Sequence, residues 1–138
     1  MLLKINGSEN MIGEYDRSLG AGLDLKSTES VTLEPLRVTL VGLGIRTEFS
    51  EDYVALLRGR SGLALRGLQV LGGVIDASYR GEWKAILLNT HRVPIEIKAG
   101  DRVCQAIFVA VPKLNLTFDE NLADSVRGVR GFGSSDQG

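Results

Sequence analysis

Gly72-Gly73-Val74-Ile75-Asp76-Ala77-Ser78-Tyr79-Arg80-Gly81-Glu82 separates two apolar runs, at residues 68–71 and 83–88, whose side chains suit strands. A glycine-led break between two such runs reads as the tip of a β-hairpin and places the surrounding chain in sheet. The paired glycines at 72 and 73 permit φ > 0 and let another molecule approach the backbone closely. Beyond them come an acid (Asp76), an aromatic hydroxyl (Tyr79) and a cation near a second acid (Arg80, Glu82). A solvated polar turn is the plain reading of any loop. Eleven residues that hold a glycine pair and three reactive side-chain types exceed what a turn requires, and we read them as part of a site.

Outward from the hairpin the periodicity stays β. Val93, Ile95 and Ile97 alternate with Pro94, Glu96 and Lys98, and Leu114, Leu116 and Phe118 alternate with Asn115 and Thr117. Residues 53–57 and 103–111 are apolar at nearly every position, as expected for strands covered on both faces. Turn signals fall between the runs: Glu34-Pro35, Ser50-Glu51-Asp52, Asn89-Thr90-His91 and Ala99-Gly100-Asp101. No long amphipathic helix interrupts them. The pattern predicts an all-β sandwich or barrel. Seventeen of the 138 residues are glycine, against roughly 7% in an average chain, which fits a fold with many tight turns.

The length suits one domain with a core of its own. A net charge of −1 gives no reason to expect a nucleic-acid polymer as partner, whereas sixteen basic residues can be gathered locally around a small anion. The single cysteine, Cys104, cannot close an internal disulfide and fits a reducing compartment, cytoplasmic or otherwise intracellular (a host cell if the protein is viral). No run is long enough for a signal peptide or a membrane span, so no membrane partner is expected.

Four further stretches carry chemistry. Ala21-Gly22-Leu23-Asp24-Leu25 sets one acid between leucines, which suits an edge strand facing solvent. Gly59-Arg60-Ser61-Gly62-Leu63-Ala64-Leu65-Arg66-Gly67 reads as one or two helical turns with Ser61 as N-cap and Gly67 as the stop. Such a turn aims backbone N–H groups at an anion, and Arg60 adds a planar fork suited to phosphate oxygens. An ordinary capped turn with an exposed arginine fits the same letters, and the residues alone leave both readings open. Gly100-Asp101-Arg102-Val103-Cys104-Gln105-Ala106-Ile107 buries a glutamine in an apolar strand, where its amide needs a partner, structural or ligand. After Phe118 a polar connection leads to Arg127-Gly128-Val129-Arg130-Gly131-Phe132-Gly133-Ser134-Ser135. Four glycines in the last twelve residues cannot build a core, yet a lone Phe132 between glycines is unusual for simple disorder.

Taken in order, these five stretches resemble the five motifs of the trimeric deoxyuridine triphosphate pyrophosphatases (dUTPases): A-G-x-D-L, R-S-G-L-A, G-x-I-D-x-x-Y-R-G, G-D-R-I-A-Q and R-G-x-x-G-F-G-S-T. They span residues 21 to 135. The resemblance implies a distorted jelly-roll, barrel-like sandwich over residues 1–126, one short helix after Ser61, and a C-terminal arm, 127–138, that closes over an active site. It implies hydrolysis of dUTP to dUMP and pyrophosphate by water attack at the α-phosphorus, keeping uracil out of DNA and supplying dUMP.

Residue by residue, it implies that Asp76 takes the proton of the attacking water and that the backbone of Gly73, Val74 and Ile75 reads uracil. Tyr79 fills the space of a 2′-hydroxyl. Arg60, Ser61, Gly62, Gln105 and Arg127 hold the phosphates, Phe132 lies on the base, and Gly133 and Ser134 of the arm also bind substrate. Asp24 lies near the triphosphate without attacking it, and Arg102 is a structural ion-pair partner. Mg²⁺ is implied, carried by phosphate oxygens and water with no direct protein ligand, as is a homotrimer with shared sites. Arg130 and Asp136 stand where the last motif more usually has glycine, and Arg130 could add a phosphate contact. Cys104 reads as a packing residue and His91 as a loop residue. Two rivals remain at this point, a dCTP deaminase-like enzyme and a nucleotide-sensing regulatory protein of the same fold.

Overall fold

The computed structural model describes residues 1–134. It is all-β apart from one helical turn and a short 3-10 turn at Glu9–Met11. The largest sheet orders β2 (Leu23–Lys26), β11 (Arg102–Ala110), β6 (Tyr53–Arg58) and β8 (Val74–Ile75). A second orders β4 (Val38–Gly42), β9 (Lys84–Asn89) and β7 (Leu68–Leu71). Two pairs complete the barrel-like sandwich: β1 (Lys4–Gly7) with β5 (Ile45–Glu48), and β3 (Val31–Leu33) with β10 (Ile95–Ile97). Every pairing is antiparallel. Neighbours in a sheet are often far apart in sequence, as in a jelly roll.

Inward-facing residues of these strands form one core around Trp83, with Leu25, Val41, Leu43, Ile45, Leu87 and Val103 fully buried. The indole N–H of Trp83 donates to the hydroxyl of buried Thr47 at 3.0 Å, so the ring is buried without an orphaned donor. Buried Asn89 is likewise satisfied. Its amide nitrogen donates to the carbonyls of Leu33 and Val93, and its oxygen accepts from the His91 N–H. That asparagine locks the turn at 89–93 and claims the carbonyl of Val93. The strand read over 93–97 accordingly begins only at Ile95.

The hairpin forms, with β7 and β9 paired from Leu68↔Asn89 to Leu71↔Ile86, but its tip is more than a turn. Gly72 (φ 59°) and Gly73 (φ 84°) swing the chain from one sheet to the other, where β8 pairs with β6. A side chain at Gly73 would put its Cβ 2.9 Å from the Leu57 carbonyl, while the Gly73 carbonyl accepts from Leu57 N–H at 2.7 Å. Only glycine fits that crossing.

Three sequence expectations change. Ser61 is the first residue of the helix α1 (Ser61–Leu65), not its cap; Arg60 holds the capping position with extended backbone, its carbonyl accepting from Ala64 N–H at 2.9 Å. Strands β6 and β11 are covered on one face only in the single chain: Ala55, Leu57 and Ala106 are buried, whereas Val54, Leu56, Ile107 and Val109 are half-buried. Finally, the alternating residues 114–118 form no strand. The last backbone bond to the body is Val111 N–H to the Asp52 carbonyl, and beyond it Phe118 is 99% exposed. A strand needs a neighbour for its N–H and C=O groups, and the described residues offer these none.

Candidate active site

The ends of β2, β6 and β11 converge where Asp24 faces Gln105 and Gln105 faces Arg58 across the sheet. Asp24 bridges two guanidinium groups, Oδ1 to Arg60 Nε at 3.2 Å and Oδ2 to Arg102 Nη1 at 3.4 Å. One carboxylate against two cations leaves the cluster with a net positive charge. Arg60 has spent its Nε on Asp24, and the two terminal nitrogens of its fork have no partner among the described residues. Asp24 is only 23% exposed, so its pairing is less screened than a surface ion pair. An ion pair of Arg102 was expected without its partner; that the partner is Asp24, and that Arg60 shares it, was not anticipated.

Gln105 donates to the Gly59 carbonyl at 3.0 Å, which aligns its amide beside the start of α1. Its side chain lies directly against Gly22, where any Cβ would overlap the amide oxygen. The glycine of A-G-x-D-L leaves the room in which the glutamine of G-D-R-I-A-Q lies here, a coupling that neither stretch reveals alone. At the start of α1 no side chain caps the helix, so the amides of Ser61 and Gly62 are not claimed by one. Beneath the cluster, Cys104 is fully buried; burial first, and the charge of Asp24 second, push its thiol up to about 12. It is a packing residue.

In the hairpin, Tyr79, Arg80 and Glu82 serve the loop itself. The Tyr79 hydroxyl donates to the Glu82 carbonyl at 3.0 Å with its ring laid over Gly81. Arg80 donates to the carbonyls of Ala77 at 2.6 Å and Thr47 at 3.3 Å, and Glu82 accepts from Gly44 N–H. The Asp76 carboxylate is exposed and takes no hydrogen bond or ion pair among the described residues, and it lines a surface groove with Tyr53, Val54, Val74 and Val111. β8 is an edge strand whose side away from β6 has no ladder partner.

The two groups of residues do not meet in one chain. Continuing the Ala55↔Ile75 register by one residue brings Asp76 level with Val54 on one flank of β6, while Gln105 pairs with Arg58 on the other. At about 3.3 Å per residue and 4.8 Å per strand, that is a separation of roughly 16 Å. Arg127, Phe132, Gly133 and Ser134 sit on an exposed arm that has no hydrogen bond to the β body among the described residues. Asp136 lies outside the described residues. Among the described residues no three His, Cys, Asp or Glu side chains converge as a metal cage, and no helix is long and apolar enough to cross a membrane.

The model of one protein family, described as dUTPase, matches residues 9–136. A deoxyuridine 5′-triphosphate nucleotidohydrolase from Cytophaga hutchinsonii is 39% identical over 136 residues, covering 95% of this chain and 88% of the relative. Among solved structures, the dUTPase of Staphylococcus bacteriophage 80alpha with dUpNHpp superposes with a TM-score of 0.87 at 27% identity, covering 96% of this chain and 97% of that one. A mutant dUTPase from phage phi11 of S. aureus, in which a structural Mg(II) ion is coordinated, superposes with a TM-score of 0.80 at 25% identity, covering 90% of this chain and all of that one.

Proposed function

The chain belongs to the dUTPase family, and from that premise we propose how it hydrolyses dUTP to dUMP and pyrophosphate. The triphosphate is held by Arg60, by Gln105 and by the amides of Ser61 and Gly62. The observation that carries this is the Asp24 bridge: it fixes the Arg60 fork by its Nε and leaves the terminal nitrogens for an anion. Planar donors of that kind match phosphate oxygens two at a time. Asp24 orients the cations and does not attack.

Uracil is read by the backbone of Gly73, Val74 and Ile75, through those N–H and C=O groups that β8 turns away from β6; the Gly73 carbonyl is not one of them, since it accepts from Leu57 N–H. A base with a different donor–acceptor pattern would leave those groups unpaired, which is how such a slot discriminates. The Tyr79 ring, pinned at its hydroxyl, occupies the ribose 2′ position. Asp76 accepts a proton from the water that attacks the α-phosphorus; it is the acid of the hairpin that no neighbour engages. The arm then brings Arg127 to the phosphates and Phe132 to the base, with Gly133 and Ser134 at its turn.

A water positioned by Asp76 must reach a phosphorus held by Arg60 and Gln105, and general-base chemistry works over hydrogen-bond distances of about 3 Å. With roughly 16 Å between Asp76 and Gln105 in one chain, the hairpin of one subunit serves the phosphate cluster of another. The assembly is a homotrimer with shared sites. Mg²⁺, when bound on the triphosphate, neutralises phosphate charge; this donor set fits it, because Asp24 is already committed to two guanidiniums and could meet the ion only through water.

Pyrophosphate release from dUTP, with dTTP, dCTP and UTP as controls, tests the reading. We expect release from dUTP alone. Ammonia release from dCTP would move the chain to the deaminases, and binding of dUTP without turnover would make it a sensor.

A further inference from the structure

We propose that Arg130 is a positioning residue, a clasp that keeps the Arg127 turn formed before the arm closes. The two arginines hold each other's backbone. Arg127 Nε donates to the Arg130 carbonyl at 2.8 Å, Arg130 Nε donates to the Arg127 carbonyl at 3.1 Å, and Arg130 Nη2 reaches the Val126 carbonyl at 3.0 Å. The loop so closed turns at Gly128 (φ 59°), whose N–H donates to the Ser125 hydroxyl. A second turn follows directly. Gly131 N–H donates to the Ser134 hydroxyl and Ser134 N–H to the Gly131 carbonyl, around Phe132 (φ 53°) and Gly133 (φ 84°).

The arm is thus two turns joined at Arg130-Gly131, each held by bonds within the arm. Phe132 is 112% exposed, so nothing from the body fixes its shape. Local bonds alone set where the Arg127 guanidinium stands relative to the Phe132 ring. A clasped turn has less freedom to lose on closing, and preformed geometry favours binding by that difference. Arg130 has committed Nε and one terminal nitrogen to carbonyls, which makes it a brace for Arg127 and not a phosphate ligand in its own right. Lysine could not replace it, because an ammonium lacks the fixed fork that spans two carbonyls.

This inference rests on the reading that Arg127 meets the triphosphate, and the test separates the two. Arg127→Ala, Arg130→Ala, Arg130→Lys and the double Arg127→Ala/Arg130→Ala variant, each in the full chain, are compared for dUTP turnover, and the parent, Arg130→Ala and Arg130→Lys, which keep the site, for trypsin cleavage after Arg127 without ligand. Arg130→Ala should lower kcat/KM about tenfold, the worth of one or two charge-assisted hydrogen bonds, and should speed cleavage after Arg127. Arg130→Lys should recover only part of the loss. The double variant should be no slower than Arg127→Ala, because a residue acting through another adds nothing once that other is gone. Additive losses would overturn the clasp in favour of direct phosphate contact. If Arg127→Ala is impaired and Arg130→Ala matches the parent in both readouts, the clasp fails and the arm stands. If Arg127→Ala turns over normally, the arm reading itself falls and takes the clasp with it.

Discussion

At Gly22 one absent carbon decides whether Gln105 can lie where Gly59 receives it. A Cβ there overlaps the amide oxygen and comes within 2.9 Å of the amide carbon, so Gly22→Ala must push Gln105 aside. Misplacing a positioning group by about 1 Å can cost on the order of 10²-fold in rate. We therefore expect Gly22→Ala to lower kcat/KM by about that factor with the fold intact, and Gly22→Ala combined with Gln105→Ala to be no worse than Gln105→Ala alone. Steady-state pyrophosphate release checks both; additive losses would show that Gly22 acts elsewhere. Cys104 gives a prediction of a different kind. Its thiol is raised from 9.0 to about 12 by burial and then by Asp24. Above pH 9 the unfolded chain releases this proton and the folded one does not, so the folded state binds more protons and stability falls as pH rises. The loss should accumulate between pH 9 and about 12 and be absent from Cys104→Ala, as followed by urea unfolding at stepped pH. A thiol reagent at pH 8 should label the parent only after unfolding.

The hairpin is the element in which the sequence was most and least legible. Its two strands could be read because runs at 68–71 and 83–88 suit sheet and paired glycines break them. The excursion of β8 to the other sheet could not, since a two-residue pairing leaves no period and depends on where β6 lies in space. Asp24 shows the same limit: between two leucines it reads as an edge-strand acid, and only the fold brings Arg60 and Arg102 to it. The alternation at 114–118 is a strand pattern that finds no ladder partner among the described residues. Within the hairpin, Tyr79 is held by the Glu82 carbonyl and by the bare face of Gly81. Two substitutions should hence give one phenotype. On the proposed reading Tyr79→Ala would empty the 2′ position and Gly81→Ala would displace the ring, and each should raise the UTP-to-dUTP ratio of kcat/KM roughly tenfold or more, the range over which a small group is sterically refused. If the ratio stays at the parent's value in both, sugar selection lies outside the hairpin.

For the whole molecule, the decisive quantity is the roughly 16 Å between Asp76 and Gln105 implied by strand spacing. Exposed apolar residues point the same way: the half-buried outer face of β6 and β11, and the bare Leu114, Leu116 and Phe118, are surfaces that another copy would cover. If every site takes its hairpin from one subunit and its phosphate cluster from the next, two dead chains can make a live site. Asp76→Asn keeps the shape of the hairpin but cannot accept the water's proton, and should cost about 10²–10⁴ in rate. Arg60→Ala keeps the hairpin and loses the fork. Each homotrimer should be nearly inactive. When the two variants are unfolded together and refolded, or coexpressed, a site has one chance in two of a sound hairpin and one in two of a sound cluster. About a quarter of the sites in a randomly mixed cyclic assembly should then be whole. Mixing the folded variants without exchange should restore nothing, which controls for simple addition of residual rates. A mixed sample that recovers about a quarter of the parent's turnover would establish the shared site directly. Recovery of none, with mixed trimers demonstrated by mass, would mean that one chain bends to bring Asp76 and Arg60 together by itself.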